Sequence, residues 1–417
     1  MGASGDGSKR ARAMRSAIVY CTHGLADPLV APLMLDYLVR LQQEAAFERV
    51  LLFTEEPPGA QAPPWADALL REARIEWRPA RYDVRGRQWL QRGRNLARML
   101  WNALRFRLRR GRCWQMGYLS FGGAYAMAAS SLGLGPCAVV CFEPHSRYMI
   151  ELGIWRPGSL KARIVGWTER WQMRRAAAVI APTTAVRSHV QAHHPRGRVA
   201  LQAITIDAAK SAFDEAARIA LRRRLGIADE AWVVAYVGKF GGIYHSIAQY
   251  LAFIAALAEA DDALRFVIIT QAEEKARIGA HPLAAALAGR LDVLPPVPPE
   301  ALHQHLSLAD AGVVAIPPAP GQAYRTPVKT AHYWAAGLPI IIPRGVSDDH
   351  RIAVAEDTGV AVRDLVPEAA PEIIAAFQRW QAEGREAVRG RCMRSAMAHR
   401  DTGAMLRVLR DLLLEQG

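Results

Sequence analysis

Short runs of β-branched and aliphatic residues alternate with longer amphipathic stretches along nearly the whole chain. In the first half the apolar runs are "SAIVYCT" (16–22), "RVLLF" (49–53), "RIEW" (74–77), "CAVVCF" (137–142), "AAVIA" (177–181) and "RVALQAI" (198–204). In the second half they are "WVVAYVG" (232–238), "LRFVIIT" (264–270), "LDVLP" (291–295), "AGVVAIP" (311–317), "LPIIIP" (338–343) and "GVAV" (359–362). Runs this short and this apolar, separated by patterns of helical period, predict parallel sheets covered by helices on both faces, an α/β fold. Between the halves, residues 206–230 hold a charged helical pattern that stops at Gly226 and contain no strand core, which marks a linker. The pattern divides the chain into a first Rossmann-like domain over 15–205, a second over 231–400, and a closing helix over 401–417 that can return to the first domain. Two doubly wound domains of this kind face each other across a cleft, where loops from the carboxyl ends of the strands gather ligands.

Length agrees with two cores, since 417 residues exceed what one core of roughly 200 residues supports. The five cysteines are scattered, with no C-x-x-C pair and no zinc spacing, which fits a reducing cytoplasm. Residues 1–14, "MGASGDGSKRARAM", read as a flexible basic tail, because they lack the apolar centre of a secretory signal. No window carries the roughly 18 uncharged apolar residues that a membrane span needs.

The formal net charge of +14 calls for an anionic partner. Its densest concentration is "RGRQWLQRGRNLARMLWNALRFRLRRGR" (85–112), where every charged residue is an arginine. On a helix, Leu96, Leu100, Leu104 and Leu108 share one face, whereas Arg94, Arg98, Arg105 and Arg109 fall mostly on another, with Trp101 near the boundary. Such a helix either packs its leucines on its own domain or lies on an anionic bilayer. The second reading makes Arg94, Arg98, Trp101, Arg105 and Arg109 membrane contacts and leaves nucleic acid out.

Two loops in the second half are built for anions. "GKFGGIYHS" follows a strand and precedes a helix: Gly238 and Gly241 let the backbone approach a ligand, Lys239 brings a cation, and the helix start adds unpaired N–H groups. "RTPVKTAHYWAAGLPIIIP" places Pro327 in a first helical turn and Lys329 where it can reach an anion, with Gly337 and Pro339 ending the helix. His332 lies one turn beyond Lys329 on the same face, either as a core histidine or as a contact to a sugar adjoining the phosphate.

These segments together resemble the family-four group of retaining glycosyltransferases with the GT-B fold, over nearly the whole chain. "YVGKFGG" is similar to that family's glycine-rich donor loop. "LDVLPPVPPEALHQHLSLADAGVVAIPP" is similar to its base-binding strand and the helix and strand that follow. "TPVKTAHYWAAGLPI" is similar to the motif S-P-x-K-x-x-E-Y-x-A-A-G-x-P-V, and "ERWQMRRAAAVIAPTTAV" to a segment that carries the family's glutamate, here Glu169. The resemblance implies a nucleotide-diphosphate sugar held by the second domain. Lys239 and Lys329 would meet the diphosphate, and Val293 and Leu294 would offer backbone groups to the base. It also implies that two family glutamates are replaced, by Tyr324 and His332; a neutral imidazole can still accept and donate one hydrogen bond each.

On the acceptor side, "FEPHS" sets Glu143 and His145 at a strand's carboxyl end, where His145 can serve as base toward an acceptor hydroxyl or polarise the sugar. In "CTHGLADP", His23 projects toward the cleft and Gly24 permits close approach of the donor phosphate. No paired carboxylates of D-x-D type follow a cleft strand, and "SDDH" (347–350) reads as a helix cap; the expectation is a metal-independent reaction without a cofactor. The leading functional reading is transfer of a sugar to a lipid-linked or glycan acceptor at the cytoplasmic membrane face, in polysaccharide or glycolipid assembly. The alternatives are another GT-B enzyme such as a sugar-nucleotide epimerase, or a catalytically degenerate binding or scaffold subunit.

Overall fold

The computed structural model describes residues 16–27, 30, 34–44, 47–83, 87–194 and 197–413; the expected basic tail at 1–14 and residues 414–417 of the closing helix lie outside them. A seven-stranded parallel sheet is formed by β1 (Ser16–Tyr20), β2 (Arg49–Glu56), β3 (Ile75–Arg81), β4 (Trp114–Tyr118), β5 (Cys137–Val140), β6 (Ala178–Ala181) and β7 (Arg198–Leu201), in the order β3-β2-β1-β4-β5-β6-β7. A six-stranded parallel sheet follows from β8 (Trp232–Val237), β9 (Leu264–Ile269), β10 (Leu291–Leu294), β11 (Ala311–Val313), β12 (Ile340–Pro343) and β13 (Gly359–Val362), in the order β10-β9-β8-β11-β12-β13. Both orders reverse beside their first strand. The crevices therefore open at the carboxyl ends of β1 and β4 in one sheet and of β8 and β11 in the other.

The central strands are buried on both faces, which is why they read as unbroken apolar runs. β4 is the strand that the apolar runs do not announce, because Gln115 and Gly117 interrupt it. Gln115 is nevertheless buried and satisfied, accepting from Tyr20 Oη at 2.7 Å and donating to the Leu134 carbonyl at 3.2 Å. Gly117 abuts Gly122 and Gly123 of the Leu119–Ser131 helix, so that any Cβ there would strike backbone.

The charged helix of the linker, Glu215–Leu225, docks on the second domain through one carboxylate. Asp310 accepts Arg218 at 2.9 Å, Arg222 at 2.6 Å, Arg385 at 2.9 Å and the amide of Val233 at 2.9 Å. Further on, the chain crosses back to the first domain. Ile206 bridges Asp401, and the Thr402–Leu413 helix takes Trp114 Nε1 on its Leu413 carbonyl at 3.1 Å and Arg198 on its Asp411 carbonyl at 2.7 Å.

The "SDDH" turn caps a helix as its sequence suggests, but not the helix that follows it. Asp348 makes no capping bond to its own helix; its carboxylate accepts the amide and hydroxyl of Thr184, both at 2.6 Å, at the start of the Thr184–His193 helix in the first domain. Tertiary approach of the two domains supplies a better partner than the local turn.

Replacing Asp310 by alanine leaves Arg218 and Arg222 buried without a counter-charge. The expected loss is about 3–5 kcal/mol of unfolding free energy, read by urea denaturation of the full chain; a loss below about 1 kcal/mol would show that Asp310 is dispensable.

Candidate active site

The half of the cleft expected to take the donor is built around the carboxyl end of β8. Gly238 has φ +138° and lies against the Lys329 ammonium, so a side chain there would displace Lys329 as well as strain the backbone. The loop is pinned along its length: the Gly238 amide donates to Ile269 at 3.0 Å, Phe240 to Glu274 Oε1 at 2.8 Å, Gly241 to the His245 carbonyl at 2.9 Å, and His245 to Ala315 at 3.1 Å. His245 is buried and holds Asp364 at 2.8 Å through Nε2. Ser246 and Gln249 then close a capping box on the Ile247–Ala260 helix.

Lys329 is the second residue of the Val328–Ala335 helix. Its Nζ donates to Tyr236 Oη at 3.2 Å and lies 4.5 Å and 4.2 Å from the ring centres of Tyr236 and Tyr244. Burial, aided by the neighbouring charge of Arg325 and opposed by Glu274, brings its pKa down to about 7. One turn on, Tyr333 accepts the Val237 amide at 3.0 Å and donates to the Val313 carbonyl at 3.1 Å, joining β8 to β11 at the mouth of the crevice.

The other residues expected at the donor site lie on the same domain. Lys239 is exposed, and its carbonyl accepts Tyr236 Oη. Val293 and Leu294 sit on the edge strand β10, where the Leu294 carbonyl takes the Thr270 amide at 3.2 Å. His332 is partly buried, and burial together with the charges of Arg400 and His303 lowers its pKa to about 4, so the imidazole is neutral at physiological pH. Tyr324 turns away from Lys329 and packs on the first domain, with Arg147 over its ring at 5.2 Å and His189 at 6.2 Å.

The acceptor half begins at β5. His145 opens the His145–Glu151 helix with Nδ1 3.2 Å from Glu143 Oε1. The two side chains remain 22% and 34% exposed, so both can be reached from the cleft. Phe121, Tyr148 and Trp155 surround the imidazole at 5.2, 6.4 and 5.3 Å. Glu169 lies within the Leu160–Arg175 helix and fixes the start of the His145 helix, accepting the Ser146 amide at 2.9 Å and also its hydroxyl. Burial raises the Glu169 pKa to about 7.

At the end of β1, Gly24 lies against Glu56, whose carboxylate accepts the Leu25 amide at 2.8 Å. His23 is partly buried with Nδ1 unpartnered. The route from His23 to His145 runs through residues that the sequence reading passed over. Glu55 is buried, holds Tyr125 Oη at 2.8 Å, and lies 3.9 Å from Arg92 Nε; Arg92 stands 5.4 Å from the Phe121 ring, and Phe121 touches His145. Glu55 and Arg92 therefore border the candidate site, and Arg325, whose charge reaches Lys329, joins them. A second cation four positions before Lys329 was the sequence signal for Arg325; Arg92 was hidden among the many arginines around it.

The arginine-rich helix spans Gln88–Arg110. Its buried face is Asn95, Met99, Ala103 and Phe106, so the four leucines do not form one packed stripe. Leu96 and Leu100 are half-buried, whereas Leu104 and Leu108 point to solvent because the larger Met99 and Phe106 hold the inner face. Arg94, Arg98, Trp101, Arg105 and Arg109 are all exposed, with Arg105 over the Trp101 ring at 4.8 Å. Among the described residues no helix is long and apolar enough to cross a membrane.

This arrangement has clear structural relatives. The chain superposes on HepE of Anabaena in complex with UDP at TM-score 0.69 and 14% identity, over 96% of this chain and 99% of that one. Sucrose-phosphate synthase from Thermosynechococcus elongatus gives 0.69 and 15%, over 95% and 98%. WaaG, a glycosyltransferase involved in lipopolysaccharide biosynthesis, gives 0.61 and 15%, over 96% and 100%. No family model and no curated protein sequence matches the chain. The protein has the GT-B fold, with two Rossmann-like domains and the return of the final helix to the first.

An anion binds the ammonium form of Lys329, so diphosphate binding near pH 7–8 should draw a proton onto this residue. Affinity for a nucleoside diphosphate should then fall as pH rises from 7 to 9, with up to about one proton taken up per site. Titration calorimetry in buffers of different ionisation enthalpy measures both, and Lys329→Met should abolish the uptake. Flat affinity without uptake would remove Lys329 from the phosphate site.

Proposed function

We propose that the protein is a glycosyltransferase: the second domain holds a nucleotide-diphosphate sugar, the first holds an acceptor, and the sugar passes between them with retention of configuration. The observation that carries this reading is the pairing, in one GT-B cleft, of a half-buried lysine at a helix start with a carboxylate-oriented histidine. Lys329 lies against Gly238, and His145 is held by Glu143. HepE, a structural neighbour, has been seen with UDP and with UDP-glucose, which supports a nucleotide sugar as donor.

In this scheme the bond from the sugar's anomeric carbon to the diphosphate breaks, and its electron pair leaves on the phosphate oxygen. Lys329, with Lys239 on the adjoining loop, stabilises that charge as it develops. The acceptor oxygen bonds to the anomeric carbon on the same face that the diphosphate leaves, which retains the configuration, and gives up its proton. Glu143 accepts from His145 Nδ1–H, which leaves Nε2 free to take that proton. Gly24, backed by Glu56, leaves room for the donor phosphate, and His23 borders the acceptor. The neutral imidazole of His332 meets a ribose hydroxyl where relatives use a carboxylate, while Val293 and Leu294 border the base. The protein cations supply the charge that a metal would otherwise bring, so the reaction is read as metal-independent.

A lipid-linked acceptor fits the surface better than a free glycan. A cavity of about 990 Å³ runs between the His145–Glu151 and Leu160–Arg175 helices, with Ile150, Ile164 and Trp167 in its walls and Arg147, Arg163 and Arg170 around them. The exposed Trp101, Leu104 and Leu108 with their arginines suit the anionic inner face of the cytoplasmic membrane, and so a peripheral enzyme of polysaccharide or glycolipid assembly. The loss of Tyr324 to the domain interface favours one alternative, a binding subunit without turnover.

Calorimetry with UDP, GDP and ADP, followed by donor hydrolysis, separates these readings. Lys329→Ala should weaken the nucleoside diphosphate 10- to 100-fold, about 1.4–2.7 kcal/mol. His145→Ala should cut turnover about 10²- to 10⁴-fold while donor affinity stays within about threefold, and EDTA should change neither. Binding without hydrolysis or transfer selects the scaffold; no nucleotide binding rejects both. For the membrane, replacing Arg94, Arg98, Arg105 and Arg109 together by glutamine should release the protein from anionic vesicles in a co-sedimentation assay. Undiminished binding would place the membrane contact elsewhere.

A further inference from the structure

Arg325 stands between the two domains, and among the described residues no carboxylate forms an ion pair with it. It follows the turn Pro320–Tyr324 of the second domain, a segment pressed onto the first: at Gly321 a Cβ would come within 2.8 Å of Glu151 Oε2 and 3.2 Å of the Tyr148 ring. The guanidinium lies 4.8 Å from the ring centre of Tyr148, in the first domain, and 6.0 Å from that of Tyr244, in the glycine-rich loop. Its Nε is buried without a hydrogen-bond partner. Among the described residues no carboxylate pairs with it, although Glu143 is near enough to favour its charge. Burial lowers its pKa to about 10, which leaves it cationic at neutral pH.

Lys329 flanks the same Tyr244 ring at 4.2 Å, also without a carboxylate partner among the described residues. Two desolvated cations on one ring repel each other, and Arg325 is among the causes that lower the Lys329 pKa. A planar guanidinium with unsatisfied donors beside an ammonium is suited to an anion with several oxygens, and a guanidinium can hold one phosphate while the ammonium holds the next.

We infer that Arg325 is a second cationic ligand of the donor's diphosphate, taking the sugar-linked phosphate while Lys329 takes the nucleoside-linked one. Since its guanidinium rests on Tyr148 of the opposite domain, the diphosphate is bound with the cleft closed. The inference rests on the reading of the second domain as a nucleotide-diphosphate site, and it moves the second positive charge from the exposed Lys239 to a half-buried residue.

The test uses the full chain and three probes: whichever of UDP, GDP and ADP the wild type binds, the matching nucleoside monophosphate, and inorganic pyrophosphate. In Arg325→Gln the affinity for the diphosphate and for pyrophosphate should fall 10- to 100-fold, the monophosphate should change less than about threefold, and Arg325→Lys should recover part of the loss. Unchanged binding of diphosphate and pyrophosphate in Arg325→Gln overturns the inference. An equal loss for mono- and diphosphate also overturns it, since that is the mark of a merely structural role. If the wild type binds no nucleoside diphosphate but its pyrophosphate binding requires Arg325, the donor reading falls and Arg325 stands as a phosphate ligand. If it binds neither, both fall.

Discussion

The second domain's half of the cleft depends on one buried guanidinium, that of Arg400. Fully enclosed, it donates to the Thr326 hydroxyl, the Pro327 carbonyl and Asp349 Oδ2, the last at 3.1 Å. Thr326 Oγ1 also accepts the Ile204 amide at 3.1 Å, and the residue after Arg400 bridges Ile206. A single charged group thus ties the start of the Lys329 helix to both strands of the interdomain crossing. Such a group is costly to bury; its Nε has no partner, and the partners of Nη1 and Nη2 are the backbone and side chains that set where Lys329 stands. The helix is held again at Tyr333, so both of its turns are referenced to the sheet rather than to solvent.

The fold was legible in the sequence because parallel strands buried on both faces leave apolar runs that no helix imitates at that length. β4 escaped notice for the converse reason: a buried glutamine satisfied by Tyr20 and a glycine demanded by a neighbouring helix both look like a loop when seen locally. Site residues divided along the same line. Lys329, Gly238, Glu143 and His145 sit where strand ends and helix starts converge, and that position is encoded in the chain around them. Arg325, Glu55 and Arg92 matter through contacts made across the fold, and Asp348 caps a helix some 160 positions away from it in sequence (Thr184). No local period carries such information.

The excess of positive charge resolves into three physical roles. Arg218, Arg222 and Arg400 are interior, and each is matched by a carboxylate and by carbonyl groups. Lys329, Arg325 and Arg92 line the cleft over aromatic faces, with much weaker compensation: only Arg92 approaches a carboxylate, Glu55, at 3.9 Å. The outward arginines of the Gln88–Arg110 helix are solvated and interspersed with exposed tryptophan and leucine. Only the second group is desolvated and under-compensated at once. Long-range attraction from the surface and short-range selectivity from the cleft are then supplied by different residues, because screening by salt acts on exposed charges far more than on buried ones.

The histidine at 332 follows from the same electrostatics. Arg400 is close enough to depress the His332 pKa, and its charge is already met by Asp349 at 3.1 Å. A carboxylate at 332 would face that same guanidinium and compete with Asp349 for it, pulling against the bonds that fix Thr326 and Pro327. A neutral imidazole keeps a hydrogen-bonding group in place without entering the contest. A histidine rather than a carboxylate at this position therefore keeps the anchor at the helix start undivided, and Arg400 stays paired with Asp349 alone.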